Sequence, residues 1–277
     1  MKFQDQIKQQ LVTYRKNDLG IKEEGFFSYR GKKIPKGHVL PLEFREFNIL
    51  EHYRDKFYSS PESNIHFHQY FHHLNSSQAL CINLFFPLVF ENKLNILSKV
   101  LSIPINEPVE ACFEKESQLE KGNRRKTNFD FYIQLSDATK IYFEVKYTEE
   151  EFGMAKDDGE HTIKFKETYE PLLENNIFIN KEYHNMSSFL SKYQIMRNLC
   201  HVADNSHVVF VYPEENINIH RQALFAQNEI LTDKGRNKFH IIPISTIVNF
   251  IINSKPSRRM QKQYYEFIKK YQLHEIT

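Results

Sequence analysis

The sequence predicts an α/β fold in which helices cover a mixed β-sheet. The prediction rests on two kinds of hydrophobic periodicity and on their order along the chain. Recurrence of apolar residues every three or four positions is typical of amphipathic helices, and alternation with a period of two is typical of half-buried strands. From residue 77 to residue 213 these patterns follow in the order helix, strand, strand, strand, helix, strand. This order indicates layers of sheet and helix around a core.

The expected helices before the first strand lie near 3–16, 43–58 and 77–101. The third is the first helix of the predicted core, and Ser76 or Ser77 is placed to cap its N-terminus. Pro87 falls inside it and should kink or restart it, because proline lacks the N–H that continues the helical ladder.

The remaining elements follow from the same two periodicities. Strands are predicted at 109–115, 128–135, 140–147, 207–213 and 239–244, and further helices at 185–203 and 257–271. Pro243 cannot donate a hydrogen bond to a neighbouring strand, so the last strand is expected at the edge of the sheet.

The length of 277 residues fits one large domain with elaborated ends. We expect a core at 66–213, an N-terminal elaboration of the same domain at 1–65, and a C-terminal α/β elaboration at 214–277. The hydrophobic content of 40% is sufficient for a sizeable core.

Composition predicts a cytoplasmic protein that does not enter a membrane. No segment approaches the roughly 18 uninterrupted apolar residues of a membrane span, and the polar start MKFQDQIKQQ does not resemble a signal peptide. The three cysteines are widely spaced and odd in number, which argues against a disulfide framework and fits a reducing compartment. The net charge of +2 does not by itself indicate nucleic acid.

The two strands at 128–135 and 140–147 form the most informative feature, a predicted hairpin with one polar face. Asp130, Glu144 and Lys146 all fall on the polar parity. The apolar parity comprises Phe129, Phe131, Ile133, Leu135, Ile141, Phe143, Val145 and Tyr147. Side chains alternate strictly along strands. The polar residues of both arms therefore lie on one face, and the apolar residues on the other, only if the numbers of two paired residues add to an even sum.

An even sum is met if Leu135 pairs with Ile141, or Ser136 with Lys140, across an odd loop such as 137–139. Burial of the apolar face and assembly of the polar face therefore require the same parity of register.

The polar face of this hairpin predicts a divalent metal site. Asp130 and Glu144 offer hard oxygen ligands of the kind that Mg2+ prefers, and the backbone carbonyl of Val145 could add another. Such an ion would activate water and stabilise a phosphate in its transition state. Lys146 could orient the water or balance phosphate charge, and the surrounding anions favour its charged form.

Asp130, then thirteen residues, then Glu144-Val145-Lys146 resembles the motif of the PD-(D/E)XK nucleases, whose core order is α-β-β-β-α-β. The wording TNFDFYIQL and IYFEVKYTEEEFG, with HHLNSSQALCINLFFPL upstream, is similar to a family of bacterial restriction endonucleases in that superfamily. The resemblance covers roughly residues 66 to 213, and more weakly the rest. Phe129 stands where the nominal motif has proline, a position that the superfamily keeps loosely.

The resemblance implies a restriction-endonuclease-like core that hydrolyses DNA phosphodiester bonds with Mg2+, for which Mn2+ could substitute. Asp130 and Glu144 would be metal ligands and Lys146 the catalytic lysine. Many members add a carboxylate from the first core helix, where this chain has Gln78 and Asn83 instead. These two residues, and Gln194 in the second core helix, are left as candidate neighbours of the site.

A basic run beside the hairpin is the expected contact for DNA phosphates. It comprises Arg124, Arg125 and Lys126 and leads directly into the first arm. Many restriction enzymes dimerise to cut both strands, so a homodimer stays open. The chain lacks a phosphate-cradling glycine-rich loop, so no nucleotide cofactor is expected.

Several alternatives compete with the nuclease interpretation. A bare Asp…Glu-x-Lys pattern is more often a solvated strand face than a catalytic site. The shared register, the element order and the wider resemblance together favour the nuclease interpretation. A catalytically silent nucleic-acid-binding module on the same fold is the main alternative, although the intact motif argues against it. His68 and His72 could bind zinc if they lay on one helix, but packing or surface roles are favoured.

Overall fold

The strands form one hairpin and one larger sheet in the computed structural model, which describes residues 2–121 and 125–273. The strands are β1 Gly25–Tyr29, β2 Lys32–Lys36, β3 Pro108–Glu116, β4 Asn128–Leu135, β5 Lys140–Val145, β6 Ser206–Tyr212 and β7 Phe239–Pro243. Strands β1 and β2 pair only with each other, and the other five form a sheet in the order β3-β4-β5-β6-β7. The first three of these run antiparallel and the last three parallel, so the sheet is mixed.

Helices lie before, between and after these strands. They are α1 Phe3–Asn17, α2 Glu51–Tyr58, α3 Ser77–Phe90, α4 Leu97–Leu101, α5 Gly159–Lys164, α6 Glu170–Glu174, α7 Met186–Ser191, α8 Tyr193–Leu199, α9 Ile217–Phe225, α10 Asp233–Arg236, α11 Ile244–Asn253 and α12 Arg258–Tyr271. The succession α3, β3, β4, β5, α7–α8, β6 confirms the predicted order of helices and strands.

Both faces of the sheet are buried, each against its own layer of helices. On one face, Phe131 of β4 stacks on Phe85 of α3, with ring centroids 4.5 Å apart. On the other, Tyr132 packs in a second core that includes Met196 of α8 and Ala223 of α9. Alternate residues of β4 thus enter opposite cores, as the pleat of a strand requires.

The terminal segments pack on the same face as α3. Asn83 of α3 donates to the backbone carbonyl of Asn48 and to the hydroxyl of Tyr271 in α12, at 2.9 and 2.8 Å. Lys270 is fully buried beside them and donates to the Asn48 carbonyl at 2.7 Å. Side chains near both ends of the chain therefore close over one helix of the core.

The hairpin register is shifted by two residues from the predicted one. Ile133 pairs with Ile141 and Phe131 with Phe143, so the pair numbers add to 274, and the loop is 136–138. The sum is even, as the shared faces require, but the predicted pairing of Leu135 with Ile141 is wrong. The loop has the predicted three residues but begins one position earlier, where Asp137 accepts the N–H of Thr139 and Ala138 adopts a left-handed conformation, φ 66°.

Phe129 departs from the predicted apolar set. It packs in the second core, against Tyr142 and His201, whereas Phe131 lies in the first core. The strict alternation of β4 ends before this residue, next to the place where β4 and β5 stop pairing.

The predicted break at Pro87 is also displaced, since α3 continues to Phe90 and the chain turns by 110° before the helical segment at 94–101. Pro87 cannot donate to the carbonyl of Asn83 four residues earlier. Gln263 of α12 supplies that donor instead, at 3.4 Å. The turn itself falls at Asn92, which is left-handed with φ 54°.

Two other predicted helices are divided. The one expected at 43–58 consists of a 3-10 helix at Leu42–Asn48 followed by α2. The one expected at 185–203 is split into α7 and α8 at Lys192, whose ψ of 34° lies outside the helical range.

Within the described ranges, no single helix has the length and apolar composition of a membrane span. Only the bent pair 77–90 and 94–101 reaches that threshold jointly, by length and composition alone.

Candidate active site

The hairpin opens at the point where its acidic residues lie. Regular pairing of β4 with β5 ends at Phe131 and Phe143. One residue further on, Asp130 accepts the backbone N–H of Val145 on Oδ2 at 2.6 Å. A side-chain carboxylate thus takes the place of a strand carbonyl, which fixes Asp130 at the end of the sheet.

Glu144 is buried on the same face and is held by α8. Gln194 donates to Oε1 at 2.7 Å and Asn198 to Oε2 at 3.1 Å. These two amides are four residues apart and therefore project from one side of the helix. Glu144 is only 4% exposed, so these donors compensate much of the cost of burying its charge.

Lys146 forms an ion pair with Glu144, with Nζ 2.8 Å from Oε1. Burial of the ammonium opposes its charge, but the carboxylates of Glu144, Glu149 and Asp130 outweigh that effect and raise the pKa of Lys146 above its usual value. Lys146 is therefore a fixed cation rather than a proton acceptor at neutral pH.

Glu114 is a third carboxylate in this region that the sequence patterns missed. The pairing of Phe113 with Phe131 and of Lys115 with Phe129 places Glu114 next to Asp130 across β3 and β4. In the same way, the sum of 274 places Asp130 next to Glu144. Glu114, Asp130 and Glu144 thus form a row across three neighbouring strands.

Glu114 has a left-handed backbone, with φ 54°, and several groups contact its carboxylate. Gln78 donates to its Oε1 at 2.7 Å, Asn128 donates to its Oε2, and the ring Nε2 of His68 lies 3.7 Å from Oε2. The nearby Glu114 carboxylate raises the pKa of His68 and outweighs the effect of burial. The left-handed backbone of a bulky residue costs free energy and is often found at functional sites.

The row of carboxylates concentrates negative charge. Burial, followed by the charges of Glu144 and Glu114, raises the pKa of Asp130 well above its usual value, although Lys146 and the Val145 N–H act in the opposite direction. Like charges in a confined space favour the neutral form of one of them unless a cation balances the set.

These side chains line one pocket of about 400 Å³, the active-site pocket. Its walls include Asp130, Glu144, Val145, Lys146, Gln194, Arg125 and Lys126 among the residues singled out from the sequence, together with Glu114, His68, Tyr193, Arg197 and Asn198. Larger pockets of about 680, 740 and 570 Å³ lie elsewhere, and none of them is lined by carboxylates from neighbouring strands of the sheet.

Two of the sequence-based candidates lie outside this lining, and a third cannot be placed. Gln78 reaches the site only through Glu114. Asn83 lies in the core, where it accepts the Leu50 N–H at 2.8 Å and donates to Asn48 and Tyr271. Arg124 falls outside the described residues.

The histidine cluster does not form the helical pair that a zinc site would need. His68 and His72 lie in a non-helical segment. His72 contacts the carbonyl of Phe26 at 3.3 Å, whereas His68 lines the active-site pocket. Within residues 2–121 and 125–273, no three His, Cys, Asp or Glu side chains are already grouped as a metal site.

The donor chemistry of the pocket nevertheless fits a hard cation. Asp130, Glu144 and Glu114 offer only oxygen ligands, and Mg2+ commonly binds through one or two carboxylates while water and phosphate oxygens fill its remaining positions. A buried, mutually repelling set of carboxylates is also where a divalent ion would relieve the most electrostatic strain.

The five-stranded mixed sheet with helices on both faces defines this protein as restriction-endonuclease-like in architecture. Residues 8–272 match the model of the family described as Restriction Endonuclease associating with ARP, and the chain belongs to that family. No curated protein and no solved structure shows a significant match to it.

Proposed function

We propose that this chain is an endonuclease that hydrolyses DNA phosphodiester bonds with Mg2+, or with Mn2+ as a substitute, in restriction or defence. The observation that carries the proposal is the row of Glu114, Asp130 and Glu144 across three strands, with Lys146 beside it in one pocket. Membership of a restriction endonuclease family supports a nuclease-like role.

Each residue of the pocket has a part in this proposal. Asp130 and Glu144 would hold the cation, and Glu114 would add charge from the neighbouring strand. A divalent cation at this place supplies the Lewis acidity that phosphodiester hydrolysis needs at neutral pH. Lys146, fixed by Glu144 at 2.8 Å, is placed to balance the charge that develops on the phosphate.

The protein around the carboxylates supports substrate binding. Arg125 and Lys126 line the pocket and would contact phosphates next to the scissile one. Gln194 and Asn198 keep Glu144 oriented so that its position does not depend on the metal.

The test is conversion of supercoiled plasmid by the purified protein in an excess of Mg2+ or Mn2+. We expect nicked and linear products that disappear when EDTA is added. A parallel arm with single-stranded RNA decides the nucleic acid class. Binding of DNA without cleavage in either metal, over varied substrates, would instead support the catalytically silent module.

A protein partner is a second part of the proposal. The family is described as associating with ARP, and we propose that this chain acts together with a protein of that kind. Whether the chain itself forms a homodimer on DNA is measured by sizing the complex, with two chains per duplex as the proposed result.

A further inference from the structure

A second, smaller pocket adjoins the active-site pocket. It measures about 250 Å³ and is lined by Arg125, Glu160, His161, Lys164, Tyr193 and Arg197. Arg125, Tyr193 and Arg197 also line the active-site pocket, so the two are continuous. We call it the basic pocket, because its lining carries three Lys or Arg side chains and one carboxylate.

The two largely buried cations of the basic pocket are held from behind by one buried carboxylate. Glu120 Oε2 lies 3.3 Å from Lys164 Nζ and 3.8 Å from Arg197 Nη2. Glu120 also accepts the N–H of Thr127 at 3.0 Å and the hydroxyl of Tyr169 at 3.1 Å. Four partners thus fix this carboxylate, which in turn fixes the two cations.

Arg197 is further positioned by its other contacts. Its Nε donates to Thr127 Oγ1 at 2.9 Å, and its guanidinium lies 5.1 Å from the centre of the Tyr193 ring. Lys164 donates to the backbone carbonyl of Arg125. Little side-chain entropy remains to be lost when a ligand binds such a constrained pair.

The charges of this cluster do not balance. Glu120 supplies one negative charge for two buried cations, and Arg125 adds a third positive charge nearby. Burial together with the neighbouring Arg197 lowers the pKa of Lys164. Glu160 also lines the pocket, but it is exposed to solvent and therefore screened.

One guanidinium nitrogen of the cluster has an ion-pair partner but no hydrogen bond. Arg197 Nη2 is buried, and in the part of the chain that the structure describes it has no hydrogen-bond partner. A buried guanidinium donor without an acceptor is costly, and a purely structural cluster would be expected to satisfy it. The nearest acceptor to this nitrogen is Glu120 Oε2 at 3.8 Å, beyond hydrogen-bond distance, so an anion in the pocket would add an acceptor to the cluster.

We propose that the basic pocket binds one phosphate group of the nucleic acid strand, adjacent to the phosphate that is cleaved. The inference rests on the proposed function and adds Lys164 and Arg197 to it as substrate-positioning residues. The planar fork of arginine and the point charge of lysine together suit the oxygens of a phosphate. The shared chemistry fits an internal phosphodiester and a 5′-terminal phosphate equally.

The test is binding of short DNA duplexes to protein carrying Asp130→Asn, so that no cleavage interferes. Lys164→Gln is compared with Lys166→Gln, an exposed lysine two residues away with the same change of charge. We expect Lys164→Gln to weaken binding about five- to tenfold and to reduce the slope of log K against log salt by about 1. Lys166→Gln should leave both unchanged.

Duplexes with 5′-phosphate and 5′-hydroxyl ends separate the two sources of phosphate. An equal loss on both assigns an internal phosphodiester, and a loss confined to the 5′-phosphorylated duplex assigns a terminal phosphate. Folded Lys164→Gln that binds both duplexes with the affinity and slope of the parent overturns the inference. If Lys164→Gln does not fold, Lys164→Met, which removes the charge but keeps a long unbranched side chain, takes its place with the same expected results.

A third arm separates failure of this inference from failure of the proposed nuclease. Inorganic phosphate should raise the melting temperature of the wild-type protein and raise it less for Lys164→Gln, whatever the enzyme cleaves. If phosphate stabilises the protein but no nuclease activity is found, phosphate binding by the basic pocket is supported and the proposed nuclease function is rejected. If plasmid is cleaved with kcat and KM unchanged by Lys164→Gln, and phosphate does not stabilise the protein, the nuclease function is supported and the inference about the basic pocket is rejected.

Discussion

At the scale of single residues, the site is a consequence of strand register. Asp130, Glu144 and Lys146 could be grouped from the sequence because side chains alternate along a strand. Glu114 could not, because its place beside Asp130 depends on how β3 pairs with β4, and nothing local in the sequence sets that register. Gln78 of the first core helix reaches the site only through its hydrogen bond to Glu114.

Glu114→Gln is expected to raise the Mg2+ concentration that gives half-maximal cleavage by about tenfold, because it removes one negative charge beside Asp130 and weakens attraction of the cation. The cleavage rate at saturating Mg2+ should change less. The measurement is a Mg2+ titration of plasmid nicking. Glu116→Gln, an exposed change at the end of the same strand, is the control. Superimposable titrations of wild type and Glu114→Gln would remove Glu114 from the site.

At the scale of elements, the order and the type of the core helices and strands follow from periodicity. The positions at which helices are interrupted do not. The continuation of α3 past Pro87 depends on a donor from Gln263, which lies 176 positions later in the chain. The hairpin that carries the site is supported by the same helix, since Phe85 contacts Phe131 and Phe143 with ring centroids 4.5 and 5.1 Å away. These three rings couple α3 to both acidic strands.

Phe85→Ala is expected to lower the free energy of unfolding by about 3–5 kcal/mol, since it leaves a cavity under the hairpin. Phe90→Ala on the same helix should cost only about 1 kcal/mol, because that ring is 40% exposed. Urea denaturation followed by circular dichroism measures both. Equal losses for the two variants would show that the stack on Phe131 does not hold the hairpin.

At the scale of the whole molecule, residues near both ends of the chain are tied to the same core helix. Asn48 and Tyr271 both bind Asn83, and Lys270 binds Asn48, so the predicted elaborations at 1–65 and 214–277 share one interior with the segment between them. Sequence patterns indicated helices in both segments but not their contact, because polar groups buried in pairs leave no periodic signal. The buried Lys270 is the most sensitive probe of this closure.

Burial lowers the pKa of Lys270 to about 7; the charge of Glu266 opposes this shift, and Arg54 adds a smaller lowering effect. The unfolded chain keeps this group protonated up to a pKa of about 10.4. Between these values the unfolded state binds more protons, so this group makes stability rise with pH by up to about 1.4 kcal/mol per unit.

Lys270→Met should remove that rise between about pH 7 and pH 10, whereas Lys269→Met, which changes an exposed neighbour, should retain it. Urea unfolding at pH 7, 8 and 9 gives the change of the free energy of unfolding with pH for the wild type and for each of the two variants. The same pH slope in wild type and Lys270→Met would mean that Lys270 is charged and solvated in the folded protein.

The central claim is that the carboxylates at the open end of the hairpin are required for DNA cleavage. It is tested most directly by the rate of plasmid nicking in Mg2+ for Asp130→Asn and Asp137→Asn. Both variants remove one carboxylate from the same hairpin, but Asp137 lies in the exposed turn. We predict that Asp130→Asn lowers the rate at least about 100-fold, or about 2.7 kcal/mol of activation free energy, while Asp137→Asn nicks at the wild-type rate. Folded Asp130→Asn protein that nicks as fast as Asp137→Asn would contradict the account.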